Sequence, residues 1–395
     1  VTLLLFDLNP TGHHPGYLQH LIRYWRAENG LLLAVVSADF PHKHLAIAAL
    51  ADQTAGVALR PISAPETEQL ATESTLLARA AAEWRLMVAY ATREGASHVL
   101  LMYLDQFQMA LLTEKAPPCP VSGILFRPTL HYAALGYPPV GLPERLRELR
   151  KRTLLRLVLR RRRLHTVFCL DPYCLPTLRQ WSRHTRFVFL PDPVEAYPVT
   201  ERDVLLLREK AELDASRKTL LLFGHLDGRK GLEPLAEAVA RLPEATRRAL
   251  TLWLVGPLED DQAGFVEKLA ALPGLHLRRH HRFVPDEHIQ AYFGAADGVL
   301  ALYQRHVGMS AVLARAAAAG KPVLASDYGL LGQLVREKAL GLTVDAASPE
   351  AIAHTLQGFA ETPRLGNPEQ MHNFAELNRA SEYARVIFES LIVKS

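Results

Sequence analysis

Residues 219–231 read Thr219-Leu220-Leu221-Leu222-Phe223-Gly224-His225-Leu226-Asp227-Gly228-Arg229-Lys230-Gly231. An apolar run ends at a glycine, turns through Asp227-Gly228 and delivers two cations ahead of the next helix. A short run of this kind, apolar at successive positions, is a strand buried on both faces. A glycine turn with two cations and open backbone N–H groups suits a phosphate; a charged surface turn is the plainer alternative. The same alternation extends outward in both directions. Downstream, strands are expected at 250–255, 275–277, 298–303, 323–326 and 342–344, with helices after most of them. Upstream, strands at 1–8, 31–37, 98–104, 121–126, 166–170 and 187–190 are interleaved with helices at 17–28, 67–93 and 144–163. This pattern predicts an α/β protein of βαβ units, with parallel sheets covered on both faces.

At 395 residues the chain is long enough for two cores. Pro191, Pro193 and Pro198 interrupt the alternation. They place a boundary near residue 195, giving Rossmann-like domains over 1–195 and 196–368. A C-terminal helical segment over 369–395 is expected to cross back to the first domain. Three cysteines (Cys119, Cys169 and Cys174) cannot build a disulfide framework, and buried thiols in a reducing, cytoplasmic compartment fit them best. The apolar N-terminus lacks a basic region and reads as a strand, and no run approaches a membrane span. A net charge of +4 says little about partners, so the placement of charge matters more.

In open parallel sheets, ligands bind beyond the carboxyl ends of strands, near helix N-termini. Besides the Gly224–Gly231 turn, three such ends carry unusual residues. Tyr303-Gln304-Arg305-His306-Val307-Gly308-Met309-Ser310 leads into an alanine-rich helix. Gly308 permits close approach of a ligand, and Ser310 is a good N-cap at the positive end of the helix dipole. Ser326-Asp327-Tyr328-Gly329 is a glycine turn read equally well as a cap. His280-His281-Arg282-Phe283-Val284-Pro285-Asp286-Glu287 could present a flat pocket. Its adjacent histidines diverge, which argues against a metal there.

The order and spacing of these loops resemble a family 4 glycosyltransferase of the GT-B type, over about residues 219–360 and in outline over the first half. Gly224, Leu226, Lys230 and Gly231 match the family's G-R-L-x-x-x-K-G, with His225 in place of the arginine. Leu250–Gly256, Phe283–Glu287, Ala296–Leu300 and Ala318–Ser326 match its later segments. The family's two glutamates fall on Val307 and Arg315; arginine only donates hydrogen bonds. The resemblance implies two Rossmann-like domains facing an interdomain cleft, the first for the acceptor and the second for a nucleotide-sugar donor. It also implies a retaining, metal-independent hexosyl transfer with no cofactor beyond the donor co-substrate. Lys230 and Arg229 would stabilise charge on the leaving diphosphate. Gly224, His225, Phe283, Val284, Gly308, Met309, Ser310 and Arg315 would complete the donor side. On the acceptor side, Gly12, His13, His14 and Gly16 fill the family's first glycine loop. Arg127 or His131 stands near its mid-domain histidine. His13, His14 or Asp105 would orient the acceptor, with His14 and Asp105 counted as catalytic candidates.

The stretch 144–163 is dominated by basic residues, with Leu146, Leu149, Leu157 and Leu164 read as one apolar face. Such a helix suits an anionic membrane surface, as in family members that act on lipid-linked acceptors in cell-envelope polysaccharide synthesis; a solvated cationic face is the alternative. The expected partners are therefore a nucleotide-sugar donor, a glycan, lipid-linked or small-molecule acceptor, and the inner face of a membrane. Nucleic acid is not among them, because no aromatic interleaving or reader motif accompanies the charge. The rival reading is a degenerate relative that binds a nucleotide, sugar or protein without transfer, and Val307 and Arg315 are its evidence.

Overall fold

The apolar runs fold as strands of two separate sheets, every pairing parallel. A computed structural model describes all residues except 127, 129, 131, 137–140, 196, 307, 362–364 and 393–395. It divides into two units. The first comprises residues 1–131, 139–193 and 380–395, and the second 132–138 and 194–379. The chain passes from the first unit to the second between Pro193 and Val194. Residues 132–138, upstream of that point, belong to the second unit.

The strands of the first unit are β1 (Thr2–Phe6), β2 (Leu31–Val36), β3 (Val57–Pro61), β4 (His98–Leu101), β5 (Val121–Leu125), β6 (Leu164–Cys169) and β7 (Arg186–Phe189). They lie in the order β3-β2-β1-β4-β5-β6-β7. In β1 and β2, alternate residues divide between two cores: Leu4, Phe6, Leu33 and Val35 enter one, Leu3, Leu5, Leu32 and Ala34 the other. That two-sided burial is what the unbroken apolar runs encode. The helix Ala380–Leu391 covers the second of these faces through Tyr383, Ile387 and Leu391. Cys169 and Cys174 are buried free thiols 3.2 Å apart.

The second unit holds β8 (Lys218–Phe223), β9 (Leu250–Val255), β10 (His276–His280), β11 (Gly298–Ala301), β12 (Val323–Ser326) and β13 (Gly341–Val344), in the order β10-β9-β8-β11-β12-β13. Both sheets therefore carry the strand order of a dinucleotide-binding fold. The winding reverses between β1 and β4 in one and between β8 and β11 in the other. The crevice beyond such a reversal is where this topology binds ligands.

Several elements differ from the sequence reading. The expected helix 67–93 is two helices, Ala64–Ala71 and Leu76–Arg93. The polar stretch Thr72–Thr75 separates them, and the Thr75 hydroxyl caps the second by accepting from the Ala78 N–H at 3.1 Å. Edge strand β3 went unread because it is only half-buried and ends in proline. The C-terminal segment is also two helices. Pro368–Leu377 belongs to the second unit and Ala380–Leu391 to the first, with Asn378 between them donating its side-chain N–H to the Phe374 carbonyl at 2.8 Å.

The basic helix runs over Gly141–Arg160, and Leu164 lies beyond it in β6. Leu146, Leu149 and Leu157 do not form its packing face. They are exposed, and Leu155, Val158 and Leu159 are buried instead. At 100° per residue the two sets lie on opposite sides, so Leu146, Leu149 and Leu157 share one exposed face of the helix.

Candidate functional site

At the switch point of the second unit, β8 ends at Phe223 and passes through Gly224, whose φ is +109°. The backbone is crowded here. A Cβ on Gly256, at the end of β9, would stand 2.0 Å from the Gly224 carbonyl oxygen, and Gly256 itself has φ +125°. Only glycine lets the two strand ends close in this way. The chain then enters a one-turn 3-10 helix, Gly228–Lys230, whose entry is held by Asp227: its Oδ1 accepts from the Arg229 N–H at 3.0 Å.

Lys230 turns back over this platform. Its ammonium donates to the Phe223 carbonyl at 2.7 Å and to the Tyr303 hydroxyl at 2.9 Å, and it lies 4.6 Å from the centre of the Tyr303 ring. The Tyr303 hydroxyl is also 2.9 Å from Ser310 Oγ, which accepts from the Val312 N–H at 3.4 Å as the cap of the helix Ala311–Ala318. Lys230, Tyr303 and Ser310 thus join the ends of β8 and β11 to the positive end of a helix. A lysine has three donors, and two of them are placed here by groups that fix its position. The Tyr303 carbonyl accepts from both Ser326 Oγ (2.7 Å) and the Tyr328 hydroxyl (2.5 Å), which tie in the end of β12. Arg305 adopts φ +50°, unusual for a side chain of this size, with its N–H donated to the Tyr328 hydroxyl at 2.6 Å. Arg305 is therefore anchored at the end of β11.

Not every sequence candidate joins this group. Arg229 is exposed, and its guanidinium donates twice to Asp227 Oδ2, at 2.9 and 2.6 Å. It serves its own turn first. Asp227 is the first cause of the raised Arg229 pKa. His225 pairs with Glu259 at 2.8 Å. His225, Asp227 and Glu259 bring ligand-capable atoms within 4.8 Å of one another, a set that could take a metal only by displacing Arg229 and opening the histidine–glutamate pair. Arg315 lies one turn into the helix Ala311–Ala318. Burial lowers its pKa, opposed by Asp286, Tyr197 and Glu195, and its Nη1 finds no hydrogen-bond partner among the described residues. Phe283 is exposed and Val284 buried. Both line a separate cavity of about 590 Å³ with His280 and Tyr292, in whose wall neither Lys230 nor Ser310 takes part.

In the first unit, the switch-point loops gather aromatic rings. Gly12, at φ +64°, and His13 precede the helix His14–Arg23, which contains Gly16. The buried His14 places Nδ1 2.7 Å from Asp7 Oδ2, at the end of β1. His13 is exposed and stacks on His14 with ring centroids 4.6 Å apart; Phe126 and Tyr103 stand 4.7 and 6.3 Å from it. Asp105 follows β4, and its Oδ2 accepts from the Phe126 N–H at 2.9 Å. Beneath this layer, the Tyr17 hydroxyl donates to the half-buried Asp192. Burial raises the Asp192 pKa to about 6, with the Tyr17 bond and His20 opposing. Arg127, His131 and Val307 lie outside the described residues.

The residues missed by sequence reasoning are the partners. Tyr303 links Lys230 to Ser310, Asp7 orients His14, and Asp227 holds Arg229. Their one sequence signal is position, since each polar side chain stands within a few residues of the carboxyl end of a strand.

The family of "Glycosyl transferases group 1" matches residues 217–361, the part of the chain that carries Lys230, Tyr303 and Ser310. The D-inositol 3-phosphate glycosyltransferase of Streptomyces scabiei is 34% identical over 153 residues, covering 37% of this chain and 34% of that protein. The lipopolysaccharide core biosynthesis glycosyltransferase LpsE of Rhizobium meliloti is 28% identical over 177 residues, covering 45% and 48%. The chain thus spans between a third and a half of the length of the curated relatives it matches. Among solved structures, Alr3699/HepE of Anabaena in complex with UDP superposes with a TM-score of 0.67 at 18% identity, covering 99% of both chains. WaaG, a glycosyltransferase involved in lipopolysaccharide biosynthesis, does so with 0.64 at 17%, covering 100% of both. Similarity at that identity speaks for the fold. Residues 217–361 thus resemble the glycosyl transferases group 1 family, and the two Rossmann-like units have the fold of the solved glycosyltransferases.

Proposed function

We propose that this protein is a glycosyltransferase that takes a sugar from a nucleotide-sugar donor, holds the donor's diphosphate at Lys230 and Ser310, and passes the sugar to an acceptor bound by the first unit. The observation that carries this reading is the Lys230–Tyr303–Ser310 chain at the switch point, inside the segment the family matches. The relative solved with UDP supports a uridine nucleotide as the first donor to try.

In this mechanism the bond from the anomeric carbon to the diphosphate oxygen breaks as the acceptor oxygen bonds to that carbon. The acceptor's proton passes to the departing phosphate oxygen, so no protein base is required. Charge then grows on the phosphate. The third Lys230 donor, the N–H groups near Ser310 and the helix dipole meet it, a preorganised set that needs no divalent ion. The acceptor oxygen bonds on the face the phosphate leaves, so the configuration of the anomeric carbon is retained. His14, fixed by Asp7, and Asp105 orient the acceptor. The basic helix lies against an anionic membrane at the cytoplasmic face, and the lipopolysaccharide relatives support a role in cell-envelope glycan assembly.

A second reading is favoured by Arg315, which supplies a half-buried guanidinium where the family's pattern expects a carboxylate acceptor: binding of a nucleotide without transfer. A thermal-shift series over nucleoside diphosphates and their sugars, followed by assay of the best donor for transfer and hydrolysis, separates the two. The transferase reading expects a raised melting temperature and turnover. Stabilisation without turnover over a broad acceptor panel leaves the binding reading, and no stabilisation by any nucleotide removes both.

A further inference from the structure

The helix Glu201–Lys210 of the second unit carries none of the residues assigned above to donor or acceptor, and its two faces are unlike. One face is packed. Val204 and Leu207 are half-buried, and a Cβ on Gly294 would stand 2.9 Å from Val204 Cγ2. Arg208 donates to the Ala295 carbonyl at the end of the neighbouring helix Asp286–Ala295. The helix is thereby fixed in place. The other face is open. Arg202, Leu205, Leu206 and Glu209 stand at i, i+3, i+4 and i+7, the spacing of one side of a helix. All four are exposed, the leucines at 65% and 52%. An apolar pair on a rigid exposed face is a place where burial is favourable.

The charges around these leucines are arranged about the middle of the helix. Read inward from its two ends, every charge meets its opposite: Glu201 against Lys210, Arg202 against Glu209, Asp203 against Arg208. The helix dipole accounts for the first and third of these, with acids at the start and bases at the end. It opposes the second, because Arg202 stands in the positive first turn and Glu209 in the negative last one. Asp203 and Arg208 are also engaged within the chain, in the capping box with Thr200 and on the Ala295 carbonyl. Arg202 and Glu209 have no ion-pair partner among the described residues. Seven positions separate them, about 10 Å along the axis, so they do not pair with each other. The two charges that the helix itself disfavours are those that flank the exposed leucines.

We propose that this chain forms a homodimer in which the exposed faces of two Glu201–Lys210 helices pack antiparallel about a twofold axis between Leu205 and Leu206. Leu205 of one copy then meets Leu205 of the other, and Leu206 does the same. Arg202 of each copy meets Glu209 of the other, so two ion pairs form at once. Such self-complementarity is what an isologous contact requires. Other occupants fit less well. An anionic membrane surface buries the leucines but meets Glu201 and Glu209, and a peptide of one charge answers either Arg202 or Glu209 and repels the other. A second copy satisfies both. Ten residues make a helix about 15 Å long, so the contact is smaller than the roughly 800 Å² per partner of a standard interface, and the expected Kd is about 1–100 μM. The contact is independent of the transfer chemistry proposed above.

The test is sedimentation velocity of the full chain over about 1–200 μM, a range that brackets this affinity. The expected result is a mean sedimentation coefficient that climbs with concentration from the monomer value to that of a dimer. Arg202→Glu and Glu209→Arg each set like charges against each other twice across the axis, and each weakens the dimer about tenfold or more. Both suit the helix dipole, so both variants fold, with melting temperatures at least those of the parent monomer. The double variant Arg202→Glu/Glu209→Arg restores opposite charges and brings affinity back to within about threefold of the parent. Leu205→Glu, which sets two carboxylates beside the axis, leaves the chain monomeric over the whole range. A parent chain that stays monomeric throughout overturns the proposal. So does a dimer that neither single charge variant weakens, which must use another face, or a double variant as weak as the singles.

Discussion

The two units share a strand order and differ in what their switch points carry. In the second, the ends of β8, β9 and β11 are drawn together by glycines, and one ammonium is fixed by a carbonyl and a phenol. In the first, the corresponding loops carry stacked rings and a buried histidine–aspartate pair. A phosphate is small, doubly charged and the same in every nucleotide sugar, so a rigid arrangement of donors can be made for it once. An acceptor presents hydroxyls and apolar faces of varied shape, which aromatic rings can meet without a fixed geometry. Topology chooses the place, and the loops choose the chemistry.

The comparison is broken most directly at Lys230. Lys230→Ala is expected to lower turnover by about 10²–10³-fold, or about 3–4 kcal/mol of transition-state stabilisation, with unchanged circular dichroism. Retained turnover would move the diphosphate elsewhere. Gly256→Ala should cost about 3 kcal/mol of stability, because its Cβ would meet the Gly224 carbonyl. A denaturant midpoint equal to that of the parent would mean that the second switch point tolerates expansion.

A test in the first unit uses pH. Burial holds the Asp192 pKa near 6, above its unfolded value. The folded chain therefore binds more protons than the unfolded one between about pH 4 and 6, and this residue's contribution to stability falls as pH rises through that window. His98 acts oppositely. Burial, with His165 beside it, holds its pKa at about 4, so its contribution rises from about pH 4 to 6.5. Asp192→Asn keeps an acceptor for the Tyr17 hydroxyl and removes only the first of these. Melting temperature should then climb more steeply with pH between 4 and 6, a change on the order of 2 kcal/mol. Identical pH profiles for variant and parent would show that Asp192 is not held protonated.

Two smaller effects sharpen the contrast. Tyr303→Phe keeps the ring over Lys230 and deletes the hydroxyl shared with Ser310. Donor affinity should fall about tenfold, at roughly 1–1.5 kcal/mol, as read by UDP titration; an unchanged affinity would make the link incidental. Thr200→Ala removes a capping box made with Asp203 and should lower stability by about 1 kcal/mol without altering UDP affinity. A loss of affinity there would mean that the helix after Thr200 takes part in donor binding.

Much of this was legible from residue order. Two-sided apolar runs announced parallel strands, and the glycine-rich turn before Lys230 marked a strand end at the switch point, because these depend on local chain geometry and on spacing. The helix breaks at Thr72–Thr75 and Asn378 were not legible, since a short polar interruption is compatible with a continuous helix until packing forces it open. That Leu155, Val158 and Leu159 form the packed side of Gly141–Arg160 was also hidden. Helical period states which side chains share a face, and only the neighbours decide which face is covered. Partners were hidden for the same reason. Tyr303 meets Lys230 across 73 positions, and the Arg229 guanidinium settles on Asp227, where sequence alone offered it to the ligand. A chain's own order determines where its elements begin, what period they keep and which loops end together. Which side chain then satisfies which is settled by distance in space, where desolvation and competing partners are first felt.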